Sequence, residues 1–124
     1  MGGEIIYKEE SYILTSCAFA VFNDMGYGHH ERIYGQGYAI ELTEKSIPYK
    51  KELYMPVLHK GVHVSKYYLD FLVWNKIVVE LKVGNEFHTN HVKQVLTYLR
   101  QTNTKLGIIY LFTPNGVEFK RIVM

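Results

Sequence analysis

The sequence predicts a domain of the α/β or α+β class, a central sheet covered by helices. Three observations carry this. Apolar residues recur at three- and four-residue steps through the first third of the chain, short β-rich runs broken by turn signals follow Pro48, and helical spacing then returns before a continuous apolar run near the C-terminus. The order is two helices, several strands, a helix and two strands.

In the first segment, residues 4–25, Ile6, Ile13, Leu14, Cys17, Ala18, Val21 and Phe22 form one face of an amphipathic helix, which Gly26 and Gly28 stop. A second helix is expected over residues 31–45, with Tyr34, Tyr38, Leu42 and the offset Ile33 and Ile40 as its buried stripe. Gly35 and Gly37 weaken it, and Pro48 closes it. Strands are expected at 52–59, 62–68, 69–74 and 76–83, as an antiparallel meander turning at Lys60-Gly61 and at Trp74-Asn75-Lys76. Thr89 or Asn90 can cap a third helix reaching Thr102, its core side formed by Val92, Val95, Leu96 and Leu99. Residues 106–112 read as a buried strand, and Pro114-Asn115-Gly116 turns into a last strand over 117–123.

With 124 residues, 48% of them hydrophobic and 21% charged, the chain fits one domain over residues 1–124. One cysteine, Cys17, makes an internal disulfide impossible and points to an intracellular, cytoplasmic setting. Glu4 and Glu9 stand where a signal peptide carries basic residues, and no run approaches the ~20 apolar residues of a membrane span. Met1-Gly2-Gly3 lacks the myristoylation pattern, because Ile6 replaces the required hydroxyl residue. The expected protein is soluble, without a membrane partner. A net charge of +2 neither supports nor excludes a nucleic-acid partner, and the eleven tyrosines and six phenylalanines are read mostly as core.

The chemistry concentrates in residues 69–83. With the turn centred on Asn75, Asp70 and Glu80 are each five residues away and face one another, with Lys82 on their side. The other face, Leu69, Phe71, Val73, Ile77, Val79, Leu81 and Val83, is apolar throughout and must lie under a helix layer. Opposed carboxylates conflict unless a cation intervenes. Mg²⁺ or Mn²⁺ suits such oxygen donors and would activate a water and screen charge on a scissile phosphate, with Lys82 orienting the water or stabilising the transition state. The same residues are compatible with a solvated face on which Glu80 and Lys82 form a surface ion pair. On the third helix, His91, Gln94 and Tyr98 share a stripe beside the apolar one. Overhanging the carboxylates, Gln94 and Tyr98 can donate hydrogen bonds to a phosphate or water, and His91 can do so or carry a proton. An exposed helix edge is the plain alternative.

The segments GHHERIY (28–34), DFLV (70–73), VELK (79–82) and HVKQVLTYL (91–99) resemble, in order and spacing, the GxxExxY proteins of the PD-(D/E)XK nuclease superfamily. The resemblance spans nearly the whole chain and implies a restriction-endonuclease-like core with a mixed β-sheet flanked by helices. It implies a metal-dependent nuclease acting on nucleic acid, with DNA as the expected substrate. Glu31 then resembles the helix glutamate that joins Asp70 and Glu80 as metal ligands, and Lys82 the catalytic lysine. Gln94 and Tyr98 resemble the Gln-x-x-x-Tyr element of the RecB-like and lambda-exonuclease-like branch, which helps hold the nucleic acid strand. His29 and His30 depart from the aliphatic residues common at their positions, and Tyr68 from a common arginine. With Cys17 the only thiol and no closed-site spacing, zinc is not expected. Two other readings remain: a catalytically weak or inactive nucleic-acid-binding module of the same fold, and a junction-resolving endonuclease. A homodimer would lengthen the strand-binding groove.

Overall fold

The computed structural model describes residues 5–124. Its elements run α1 (Lys8–Met25), α2 (Glu31–Glu44), β1 (Tyr49–His59), β2 (Val62–Val73), β3 (Ile77–Val83), α3 (Thr89–Thr102), β4 (Leu106–Thr113) and β5 (Gly116–Val123). The first helix starts later than its apolar spacing suggests. Tyr7 holds a left-handed backbone at φ 51°, which ends helical geometry on the N-terminal side of Lys8. The expectations placed on Met1, Gly2, Gly3 and Glu4 lie outside the described residues.

In α2, Tyr34, Tyr38 and Leu42 are fully buried, as a four-residue step requires, but Ile40 is 58% exposed. Two residues beyond Tyr38 it has turned about 200° around the helix, and Ala39 takes the inner flank instead. The expected strands 62–68 and 69–74 are one continuous β2. The turns at Lys60-Gly61 and Trp74-Asn75 form where expected, all four residues at positive φ, the combination that matches a tight hairpin to strand twist. Thr89 and Asn90 do not cap α3. The N-cap is His88, extended at φ −99° and without a side-chain cap bond, and its ring meets His91 edge-on at 5.3 Å.

The sheet order is β1-β2-β3-β4-β5, antiparallel throughout except for the parallel pair β3–β4, so it is a mixed sheet in an α+β fold. Helix α3 forms the crossover between the parallel strands. Alternation along the strands makes two cores. Phe71, Val73, Ile77, Val79, Leu81, Leu106, Ile108, Tyr110 and Phe112 pack under α1 and α2. Leu72, Val78, Ile109 and Ile122 pack under Val95, Tyr98 and Leu99 of α3. Gly107 lets α3 approach, since a Cβ there would collide with Val95 Cγ1.

Leu69 departs from the expected face and joins the α3-side core. The β2–β3 ladder ends at Phe71↔Val79, and Glu52, opposite Asp70 on β1, has a left-handed φ of 56°. Released from β3 and twisted at Glu52, the β1–β2 ribbon turns its odd-numbered side toward α3. Among the described residues no helix is long and apolar enough to cross a membrane.

Candidate active site

The site forms where β2 and β3 part. Their register, Phe71↔Val79, Leu72↔Val78 and Val73↔Ile77, places Asp70 opposite Glu80 one step further, where ladder bonds stop. The carboxylates replace those bonds. The Asp70 N–H donates to Glu80 Oε1 at 2.6 Å, and the Leu81 N–H donates to Asp70 Oδ2 at 2.7 Å. Backbone donors that divergence would orphan are thus satisfied by the two acids, which are held in place by the same bonds.

Glu80 is only 3% exposed. Burial, and then the charge of Asp70, pushes its carboxyl up to about 8, although Lys82 pulls the other way. Lys82 Nζ lies 3.5 Å from Glu80 Oε2. Burial also raises the Asp70 carboxyl, opposed by the Leu81 N–H, Lys82 and Lys51 and reinforced by Glu31. The two acids and Lys82 are therefore a partly desolvated cluster and not a solvated sheet face.

Glu31 opens α2, and its Oε2 accepts the Val83 N–H at 3.2 Å, tying the helix start to the end of β3. Its charge is felt at Asp70 and His91. His91, in the first turn of α3, is half-buried, and burial, Lys82 and His88 hold its imidazole below the ordinary value. Gln94 is half-buried one turn further along the same stripe. Tyr98 lies deeper than a helix edge: it is 8% exposed and packs in the α3-side core, with burial raising its phenol. The fold thus gathers Asp70, Glu80, Lys82, Glu31 and His91 electrostatically, while Tyr98 sits in the α3-side core.

A cleft of about 230 Å³ beside Asp70 is lined by Glu31, Arg32, Lys51, Glu52 and Phe71. Arg32 and Lys51 were not singled out in the sequence. Counting back from the Lys60-Gly61 turn sets residue 51 against residue 70, and the irregularity at Val57/Leu58 shifts it by one, to Lys51↔Phe71. That count was the available signal. A larger hollow of about 350 Å³, bounded by Pro48, Tyr49, Lys50, Leu72, Trp74 and Asn75, contains none of the acids.

Among the described residues no group of three or more His, Cys, Asp or Glu side chains is arranged to hold a metal ion. The Asp70–Glu80 pair nevertheless suits a divalent cation as a donor set. Each acid spends one oxygen on the backbone, leaving Asp70 Oδ1 and Glu80 Oε2 as donors, and a cation would offset the burial that raises both carboxyls and the Asp70 charge that adds to it at Glu80.

Comparison with solved structures finds the same fold in proteins of very different sequence. The SSO0001 protein aligns with a TM-score of 0.52 at 14% identity, covering 96% of this chain and 79% of that one. An alkaline exonuclease from Laribacter hongkongensis aligns with a TM-score of 0.52 at 10% identity, covering 97% and 72%. No curated protein sequence matches the chain. The sequence model of the PD-(D/E)XK nuclease superfamily matches residues 8–122, nearly the entire chain with its site, and the chain belongs to that superfamily.

Proposed function

We propose that the chain is a metal-dependent nuclease that hydrolyses phosphodiester bonds of nucleic acid, DNA first among its substrates, using Mg²⁺ or Mn²⁺. The observation that carries this is the buried Asp70–Glu80 pair with Lys82 Nζ 3.5 Å from Glu80. Superfamily membership supports it, as does the likeness to an alkaline exonuclease.

Asp70 and Glu80 would hold the ion, with Glu31 as the third carboxylate from the start of α2. Bound there, a divalent cation supplies Lewis acidity toward the scissile phosphate and the attacking water. Lys82 places its ammonium group beside Glu80, where it orients that water and offsets charge developing on the phosphate. His91, held below its ordinary pKa, is neutral at pH 7 and able to accept a proton. Gln94 donates to phosphate oxygens from the same face of α3, and the Tyr98 phenol supports that face from within the core. Arg32 and Lys51 bring cationic charge to the cleft on the other side of Asp70, where phosphates flanking the scissile one would bind.

The test is incubation of purified protein with single- and double-stranded DNA and RNA in Mg²⁺ or Mn²⁺. Cleavage is expected from the parent and not from Asp70→Ala or Lys82→Ala. Equal cleavage by those variants would overturn the assignment.

A further inference from the structure

Beyond the last β2–β3 pair, β1 and β2 continue as a two-stranded ribbon whose sides differ. Leu53, Met55, Tyr67 and Leu69 pack into the α3-side core. The opposite side carries Tyr54 and Tyr68, direct cross-strand partners that are 52% and 56% exposed, with ring centroids 5.6 Å apart and planes inclined at 60°. Lys66 Nζ lies 5.8 Å from the Tyr68 ring centroid, and the Tyr54 hydroxyl is 3.3 Å from His63 Nε2. Over residues 53–69 the ribbon holds Lys60 and Lys66 and no acid. Tyr68 also precedes Asp70 by two residues on one strand, about 7 Å along it.

We propose that the Tyr54–Tyr68 face binds the unpaired bases of a single-stranded nucleic acid and leads that strand into the Asp70 cleft. This deepens the nuclease reading and rests on it for the direction of the strand. Charge complementarity selects a polyanion, and a pair of half-exposed aromatic side chains selects a ligand with planar, unstacked bases. Bases in a duplex are already stacked on one another and offer only their edges in the grooves. The cross-strand ring pair also stiffens the ribbon, as such pairs do. That role predicts no dependence on the ligand's bases.

The experiment is fluorescence anisotropy on the full chain in EDTA, so that binding is read without turnover. Its probes are a short single strand containing 2-aminopurine, an abasic chain of equal length and a duplex. The single strand is expected to bind tightest, with 2-aminopurine fluorescence quenched by stacking. The Tyr54→Leu/Tyr68→Leu variant should bind it about tenfold more weakly or worse, and should bind the abasic chain as the parent does. Unchanged affinity of a folded double variant, equal binding of abasic and base-bearing strands, or equal competition by duplex overturns the proposal. Should the double variant fail to fold, the parent's own quenching decides, and its absence overturns the proposal. Base-dependent binding with no cleavage in Mg²⁺ or Mn²⁺ would instead refute the nuclease reading alone.

Discussion

Asp70 and Glu80 each take over a backbone bond that the sheet gives up: Glu80 Oε1 accepts the Asp70 N–H, and Asp70 Oδ2 accepts the Leu81 N–H. The acids are therefore structural and electrostatic at once. Removing either side chain orphans a backbone donor, so alanine variants lose stability as well as chemistry. Amide variants keep an acceptor oxygen and remove only charge, and they are the cleaner probes.

Metal-free stability should fall as pH rises. Glu80 has an ordinary value of 4.5 and is pushed to about 8 in the fold, so the folded protein retains a proton that the unfolded chain gives up. Its contribution is complete below about pH 4.5 and is lost as pH climbs through about 8; the raised Asp70 carboxyl acts in the same direction. Glu80→Gln should flatten this slope, the parent losing ground by at most about 1.4 kcal/mol per pH unit across the window. Mn²⁺ should raise the parent's melting temperature near pH 8 and leave that of Glu80→Gln nearly unchanged. Thermal melts at several pH values in EDTA and in Mn²⁺ check both expectations. A flat parent profile would contradict the raised carboxyl.

Lys82→Gln should separate chemistry from metal binding. Lys82 faces Glu80 without being a metal donor, so calorimetric heat on Mn²⁺ titration should persist while cleavage falls about 10²–10³-fold. Lys82 also holds the His91 imidazole down, after burial. The same variant should therefore move the His91 titration upward by NMR. Loss of metal binding with unchanged His91 would place Lys82 elsewhere in the mechanism.

What the sequence disclosed and what it withheld divide along a physical line. The Trp74-Asn75 turn sets a register, register is arithmetic, and Asp70 opposite Glu80 followed from counting. Counting does not reveal that strands part at that point, so the carboxylate–backbone bonds and the diversion of Leu69 to the α3 side stayed hidden. Helical spacing placed His91, Gln94 and Tyr98 on one stripe, but an angle around a helix says nothing of depth, and Tyr98 is in the core. Glu31 meets Val83 across 52 residues of chain, a contact with no local pattern, and only family resemblance pointed to it. Lys51 needed a register that the Val57/Leu58 irregularity displaces.

Tyr34 should prove to be a packing residue that sets the entry to α2. Its ring stacks on Phe112 with centroids 4.3 Å apart and planes 4° from parallel, and its hydroxyl donates to the Gly26 carbonyl at 2.5 Å. Tyr34→Phe keeps the stack and should cost about 1 kcal/mol. Tyr34→Ala should cost about 3–5 kcal/mol. Cleavage per folded molecule should be unchanged in Tyr34→Phe, measured beside its urea unfolding curve. A selective loss of turnover would give the hydroxyl a chemical role.

The seating of α3 on the sheet should depend on Gly107. A Cβ at that position would run into Val95 Cγ1, with Leu99 Cδ1 at 3.7 Å and Val78 Cβ at 3.8 Å in ordinary contact. Gly107→Ala must therefore displace Val95 on the helix that carries His91 and Gln94, at a cost of about 1–3 kcal/mol. Val95→Ala alone empties buried volume and is destabilising for the opposite reason. Combined, the added methyl occupies space that the shortened side chain vacates, so the double variant should be more stable than the sum of the single losses predicts. Urea denaturation of the four proteins measures the coupling. Strict additivity would mean that α3 does not rest on Gly107 through Val95.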